Sequence, residues 1–112
     1  MYFNIKEIEA VELSEWMDAD ADHFVIIDVR EMSEINAGTI KGAEPMPLAT
    51  VPLKMSELDR QKTLVMLCRS GARSAQACAF LQQQGFDNVV NLRGGMFAWA
   101  GAGKPISLPM AS

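Results

Sequence analysis

An α/β fold, with a parallel sheet covered by helices on both faces, is what three observations in the sequence predict. Three apolar, β-branched runs, His23–Val29, Thr63–Leu67 and Asn88–Leu92, have the length and continuity of strands buried on both faces. Helix-forming segments separate them, and strands joined through helices pair parallel by right-handed crossovers. The chain of 112 residues, 49% apolar and 21% charged, suits one globular core and is short for two, so a single domain over residues 1–112 is expected.

Each element has its own local warrant. Asn4–Ile8 predicts a short strand, and Ala10–Met17 places Val11, Leu13, Trp16 and Met17 at spacings compatible with one helical stripe. After the His23–Val29 strand, Glu31–Ala37 predicts a short helix stopped by Gly38, with Asp28, Arg30 and Glu31 capping and pairing locally. Gly38–Leu48 is rich in glycine and proline and predicts a loop with at most a short strand, and Val51–Leu58 adds a helical turn. Beyond Thr63–Leu67, Ser74–Gln84 is a strong helix former, with Ala77, Cys78 and Leu81 on one face and Gly85 as its stop. Asn88–Leu92 is the third clear strand, Gly94–Ala100 a final short helix, and a tail with Gly103, Pro105 and Pro109 follows. Trp16 and Trp99 read as packing anchors, and the eight methionines are scattered as gap fillers without a stripe.

Ten basic and fourteen acidic residues give a net charge of −4, a balance that repels nucleic acid and anionic membranes and excludes both as expected partners. The stretch Met1–Glu7 lacks the basic start and apolar run of a signal peptide, and no window approaches the apolar length of a membrane span, so a cytoplasmic location is expected. In that reducing compartment Cys68 and Cys78 are expected as two free thiols. No ligand cluster has metal spacing and no glycine-rich nucleotide fingerprint is present, so neither metal nor organic cofactor is expected.

The chemistry concentrates in Cys68-Arg69-Ser70-Gly71-Ala72-Arg73-Ser74, directly after a buried strand and before a helix. Ligands of open α/β sheets bind at this kind of position, beyond the carboxyl ends of the strands. A cysteine is reactive as its thiolate, and lowering the thiol pKa by about two units requires nearly 3 kcal/mol of differential stabilisation. A helix N-terminus supplies only about 0.3 to 1 kcal/mol, so the rest must come from backbone N–H donors curled around the sulfur and from the charges of Arg69 and Arg73. Gly71 permits the positive φ of such a curl, small Ser70 and Ala72 keep it open, and Ser74 is placed to cap the next helix. The one histidine, His23, is far away in sequence, which argues against a Cys–His pair. Sulfur transfer needs no general base, because a thiolate attacks a sulfane sulfur directly. The bland alternative is a small buried residue ending a strand, and two flanking arginines argue against it, since charge gives an inert thiol nothing.

The ordered blocks Asp28-Val29-Arg30-Glu31, Gly38-Thr39-Ile40-Lys41-Gly42-Ala43 to Pro47-Leu48, Cys68–Ser74, Gly85-Phe86-Asp87-Asn88-Val89, Gly94-Gly95, Trp99, Gly103 and Pro105 span nearly the whole chain. In this order they resemble a single-domain rhodanese, a thiosulfate sulfurtransferase-like protein. The resemblance implies a rhodanese-like fold: a central five-stranded, mostly parallel sheet flanked by helices on both faces, with Cys68 opening the active-site loop. It further implies a catalytic Cys68 that takes a sulfane sulfur from a donor such as thiosulfate, becomes a persulfide, and passes the sulfur to cyanide or a thiol. Arg69, Ser70, Gly71, Ala72 and Arg73 would then form the substrate-binding loop, their amides cradling the persulfide and Arg69 steering the anionic donor. Thr39 stands where many members carry histidine, and Lys41 where proline is common, a departure that bears on loop geometry.

Two rival readings follow from the same loop. A cysteine phosphatase also needs a cysteine in an anion-binding loop, but Cys68 and Arg73 enclose four residues where the phosphatase pattern encloses five. A rhodanese module serving mainly as a sulfur relay would receive its persulfide from a partner protein.

Overall fold

The computed structural model describes residues 4–109. Residues 1–3 of the opening stretch and 110–112 of the tail lie outside the described residues. The chain runs β1 (Glu7–Ile8), α1 (Ala10–Asp18), β2 (Phe24–Asp28), α2 (Met32–Ala37), β3 (Glu44–Pro45), α3 (Val51–Lys54), β4 (Thr63–Leu67), α4 (Ala72–Gln83), β5 (Val89–Leu92) and α5 (Gly95–Gly101). Short 3₁₀ turns flank α3 at Leu48–Thr50 and Met55–Glu57. The five strands form one sheet in the order β1-β5-β4-β2-β3, and every pairing is parallel. The three strands expected from apolar runs are the three central ones. The two outer strands are two residues long: β1 is the end of the Asn4–Ile8 segment expected as a short strand, and β3 is the short strand allowed within the Gly38–Leu48 loop.

Alternation along the central strands splits the core in two. Ile26, Val65, Leu67 and Leu92 face α1 and α5, where they meet Leu13, Met96 and Trp99. Ile27, Leu64, Met66 and Val89 face α4, where they meet Ala77, Cys78 and Leu81. Helices thus cover both faces, and the continuous apolar runs of β2 and β4 are what such double burial demands. Cys68 continues the Leu64, Met66 alternation one step beyond β4 and sends its sulfur toward α4. The central strand therefore aims the thiol.

Two expectations are corrected. Helix α4 starts at Ala72, two residues before Ser74, and its N-cap is Gly71 in a left-handed conformation with φ 101°. Ser74 is inside the helix and caps nothing, because the glycine turn already redirects the chain. The segment after α5 is also more than a tail. Thr39 and Ser107 form an antiparallel bridge through bonds of 2.7 and 2.8 Å, and Trp99 Nε1 donates to Pro105 O at 2.8 Å. The buried indole N–H needs an acceptor, and the returning chain supplies it. Trp16 packs half-buried against Phe24 and His23, with its ring centroid 4.6 Å from the imidazole. No helix among the described residues is long and apolar enough to cross a membrane.

Candidate active site

The site lies beyond the carboxyl ends of β2, β4 and β5, and three pieces of backbone shape it. Gly71 N–H donates to Cys68 Sγ at 3.1 Å, closing the loop over the sulfur. Only a residue at ease with φ 101° makes that turn, and a side chain there would press within 3.3 Å of Gly94 N. The outer side of the loop is pinned by α5: Met96 N donates to Cys68 O at 2.9 Å and Phe97 N to Arg69 O at 3.0 Å. In a trans peptide the carbonyl and the next N–H point in opposite directions, so anchoring Arg69 O to α5 turns the Ser70 N–H away from α5. Gly95 makes this contact possible. A Cβ at that position would lie 2.3 Å from Cys68 O and 2.8 Å from Arg69 O, against backbone that has no freedom to yield.

Burial pushes the Cys68 thiol up, but the Ser74 hydroxyl and the amides of Ser74, Gly71 and Ser70 outweigh it, and the net displacement is downward. Ser74 Oγ lies 3.3 Å from the sulfur. Peptide dipoles supply the field, and the single Ser74 hydrogen is shared with a second acceptor, Asn91 Oδ1.

The arginines divide differently from the sequence expectation. Arg73 is spanned by Glu34 of α2 in a two-pronged ion pair at 2.7 and 2.8 Å, so its charge is largely neutralised, and it is not a free cation at the sulfur. The hydrogen bonds from Arg73 and the Glu31 backbone hold the Glu34 carboxyl down at about 2. Sequence could not reveal this pair, because its members are separated by 39 positions. Arg69 stays exposed, makes no ion pair among the described residues, and sits 4.9 Å over the Phe97 ring. Ser70 and Ala72 are exposed beside it. The local positive spot thus reduces to Arg69.

Glu34 is itself held in place. Asp28 and Arg30 form a buried pair at 2.8 Å, Thr39 Oγ1 donates to Asp28 Oδ2 at 2.7 Å, and Arg30 donates to Gly38 O at 2.7 Å. Glu31 and Glu34 complete a reciprocal capping box at the start of α2. The local pairing expected for Asp28, Arg30 and Glu31 is what the structure has. Thr39 is a buried tie between β2 and the following loop.

Cys78 is fully buried on α4, and no disulfide joins it to Cys68. Burial, with smaller contributions from Glu7 and Cys68, pushes its thiol up to about 12. His23, packed on Trp16, is not part of the loop. Sequence reading passed over Asn91, Gly95 and Glu34 as site residues. Asn91 did leave a signal, as an amide in the otherwise apolar run Val89-Val90-Asn91-Leu92, where a buried polar group demands a partner.

Comparisons with known proteins place the chain in a family. The family model for the rhodanese-like domain matches residues 9–102. A sulfurtransferase of Allochromatium vinosum is 45% identical over 105 residues, covering 94% of this chain and 97% of the relative. The thiosulfate sulfurtransferase GlpE of Pseudoalteromonas translucida is 32% identical over 83 residues, covering 74% of this chain and 79% of its own. Among solved structures, a rhodanese-related protein from Thermoplasma volcanium superposes with a TM-score of 0.83 at 33% identity, covering 93% of this chain and 99% of that one.

Proposed function

The chain belongs to the rhodanese-like domain family, with sulfurtransferases among its relatives, and on that premise we propose that it moves a sulfane sulfur through a persulfide on Cys68. The Cys68 thiolate attacks the outer sulfur of thiosulfate; a new S–S bond forms, the old one breaks, and its electron pair leaves with sulfite. The terminal sulfur of the persulfide carries the negative charge. Cyanide or a thiolate then attacks that sulfur and releases the Cys68 thiolate, so no general base is consumed. The observation that carries the reading is the Gly71 amide 3.1 Å from Sγ, a donor fixed where the free thiolate holds its negative charge.

Arg69 is the guanidinium available to fork onto sulfonate-like oxygens. Ser70, Gly71 and Ala72 supply backbone to the loop, and Arg73 braces it through Glu34. Cys68 has no exposed surface, so a donor reaches it when the covering side chains shift. A phosphatase would need Arg73 to grip phosphate, and the bond to Glu34 argues against that use. The test is mass spectrometry after incubation with thiosulfate. Cys68 gains one sulfur atom, and cyanide removes it as thiocyanate. Absence of that adduct from both thiosulfate and a persulfidated protein donor would sink the reading.

A further inference from the structure

Ser74 has one hydrogen and two acceptors. Its Oγ lies 3.3 Å from Cys68 Sγ and in close hydrogen-bond contact with Asn91 Oδ1. Ser74 and Asn91 are 0% and 2% exposed, so water relieves neither. Asn91 cannot turn its amide round to become the donor. Its Nδ2 donates to Glu7 Oε2 and to Gly71 O, both at 3.1 Å, and a reversed amide would set oxygen against both acceptors. Asn91 therefore always asks Ser74 for its hydrogen.

With Cys68 as thiol, the demands are compatible: Sγ–H donates to Oγ, and Oγ–H donates to Oδ1. With Cys68 as thiolate they conflict. If Ser74 turns to the sulfur, Asn91 Oδ1 is left buried, unpaired and facing a lone pair. If Ser74 stays with Asn91, the sulfur depends on its amides alone. Uptake of a sulfur ends the conflict, since Sγ becomes a neutral atom between Cβ and the added sulfur while the charge moves outward.

We propose that Asn91 is a positioning residue for the sulfur chemistry: by holding the Ser74 hydrogen away from Cys68 Sγ, it keeps the free thiolate reactive and favours its sulfur-loaded form. The proposal rests on the persulfide reading above. Other charges near the sulfur come from Arg69 and Arg73, from Glu31 and Glu34 of α2, and from Glu7 behind Asn91, with the neutral Cys78 thiol on α4. All of them are left in place by the test.

The test is a double-mutant cycle on the Cys68 titration midpoint, read from the pH dependence of alkylation at that residue. Ser74→Ala alone raises the midpoint by less than about half a unit, whereas in an Asn91→Leu background it raises it by roughly 1 to 2 units, the scale of a hydrogen bond to a charged group. Taking the difference within each background cancels any loosening caused by losing the Asn91 bond to Gly71. Equal shifts in both backgrounds overturn the proposal. Should Asn91→Leu fail to fold, the single variant still decides, because a full-unit rise from Ser74→Ala alone overturns it and a small one supports it. Single-turnover sulfur loading above both titration midpoints, where Cys68 is fully thiolate in each protein, gives a second readout: Asn91→Leu slows the saturated rate roughly three- to tenfold with KM unchanged, since a thiolate loses nucleophilicity as its pKa falls. A changed KM at constant rate contradicts the assignment. Alkylation uses no sulfur donor, so failure to load sulfur would sink the persulfide reading and leave the cycle standing.

Discussion

Cys68 and Cys78 stand ten positions apart, both buried in the same half of the core with no exposed surface, yet their thiols are displaced in opposite directions. Cys78 sits in the middle of α4, where backbone N–H groups are consumed within the helix, so nothing opposes burial, to which Glu7 and Cys68 add, and the thiol rises to about 12. Cys68 meets the same desolvation in a loop that has not yet entered the helix and whose amides are free to turn inward. Burial therefore does not decide whether a thiol is reactive. The orientation of neighbouring peptides does, and here α5 sets it by taking the carbonyls of Cys68 and Arg69.

Exchanging the two thiols gives the sharpest break of this comparison. Cys68→Ser lowers thiosulfate:cyanide sulfur transfer by roughly a thousandfold or more, the scale on which loss of a covalent nucleophile registers. Cys78→Ser retains most of the activity, and a folded Cys78→Ser protein without activity would contradict the contrast. Chemical labelling reads the same difference directly. Three units above the ordinary value of 9 leave Cys78 about a thousandfold poorer in thiolate than an ordinary thiol at neutral pH, so iodoacetamide modifies Cys68 first by orders of magnitude. Comparable rates at pH 7 would remove the distinction.

Gly95→Ala attacks the anchoring of the loop. Its Cβ would collide with Cys68 O, and the φ of 54° is itself strained for alanine, so stability falls by about 1 to 3 kcal/mol and the Cys68 titration midpoint rises as the amides turn away. Thermal unfolding and alkylation profiles check both effects. Arg69→Ala leaves the sulfur's surroundings intact and raises KM for thiosulfate by about tenfold, corresponding to one solvent-shared charge-assisted contact. An unchanged KM would free Arg69 from donor binding.

Glu34→Gln has the smallest effect. The Glu34 carboxyl titrates at about 2 in the fold against an ordinary 4.5, so its contribution is present above pH 4.5 and lost as pH falls toward 2. The variant lacks this acid-sensitive part: its melting temperature lies below the parent's near neutrality, and the two converge toward pH 2. A constant gap across that interval would show that the pair with Arg73 does not matter to stability.

Several features are legible in the sequence alone. Thr63–Leu67 reads as a buried strand because its apolar run has the right length, and β4 has those bounds. The position of Cys68 after that strand, Gly71 as the turn and α4 as the following helix follow from residue type at short range. The role of Ser74 was misread because N-cap preference is a local rule, and the Gly71 turn moved the helix start ahead of it.

The order and type of the main elements, the thiol at a strand end and the glycine that lets the chain curl were determined by the sequence itself, through periodicity and φ preference, which act over a few residues. Only the tertiary structure decided which arginine stays free, which amides face the sulfur and which side chain competes for the Ser74 hydrogen. Those outcomes depend on Glu34, Gly95 and Asn91, brought to the loop from other elements. Directional hydrogen bonds are set by where the fold places their partners, and spacing along the chain carries no record of that.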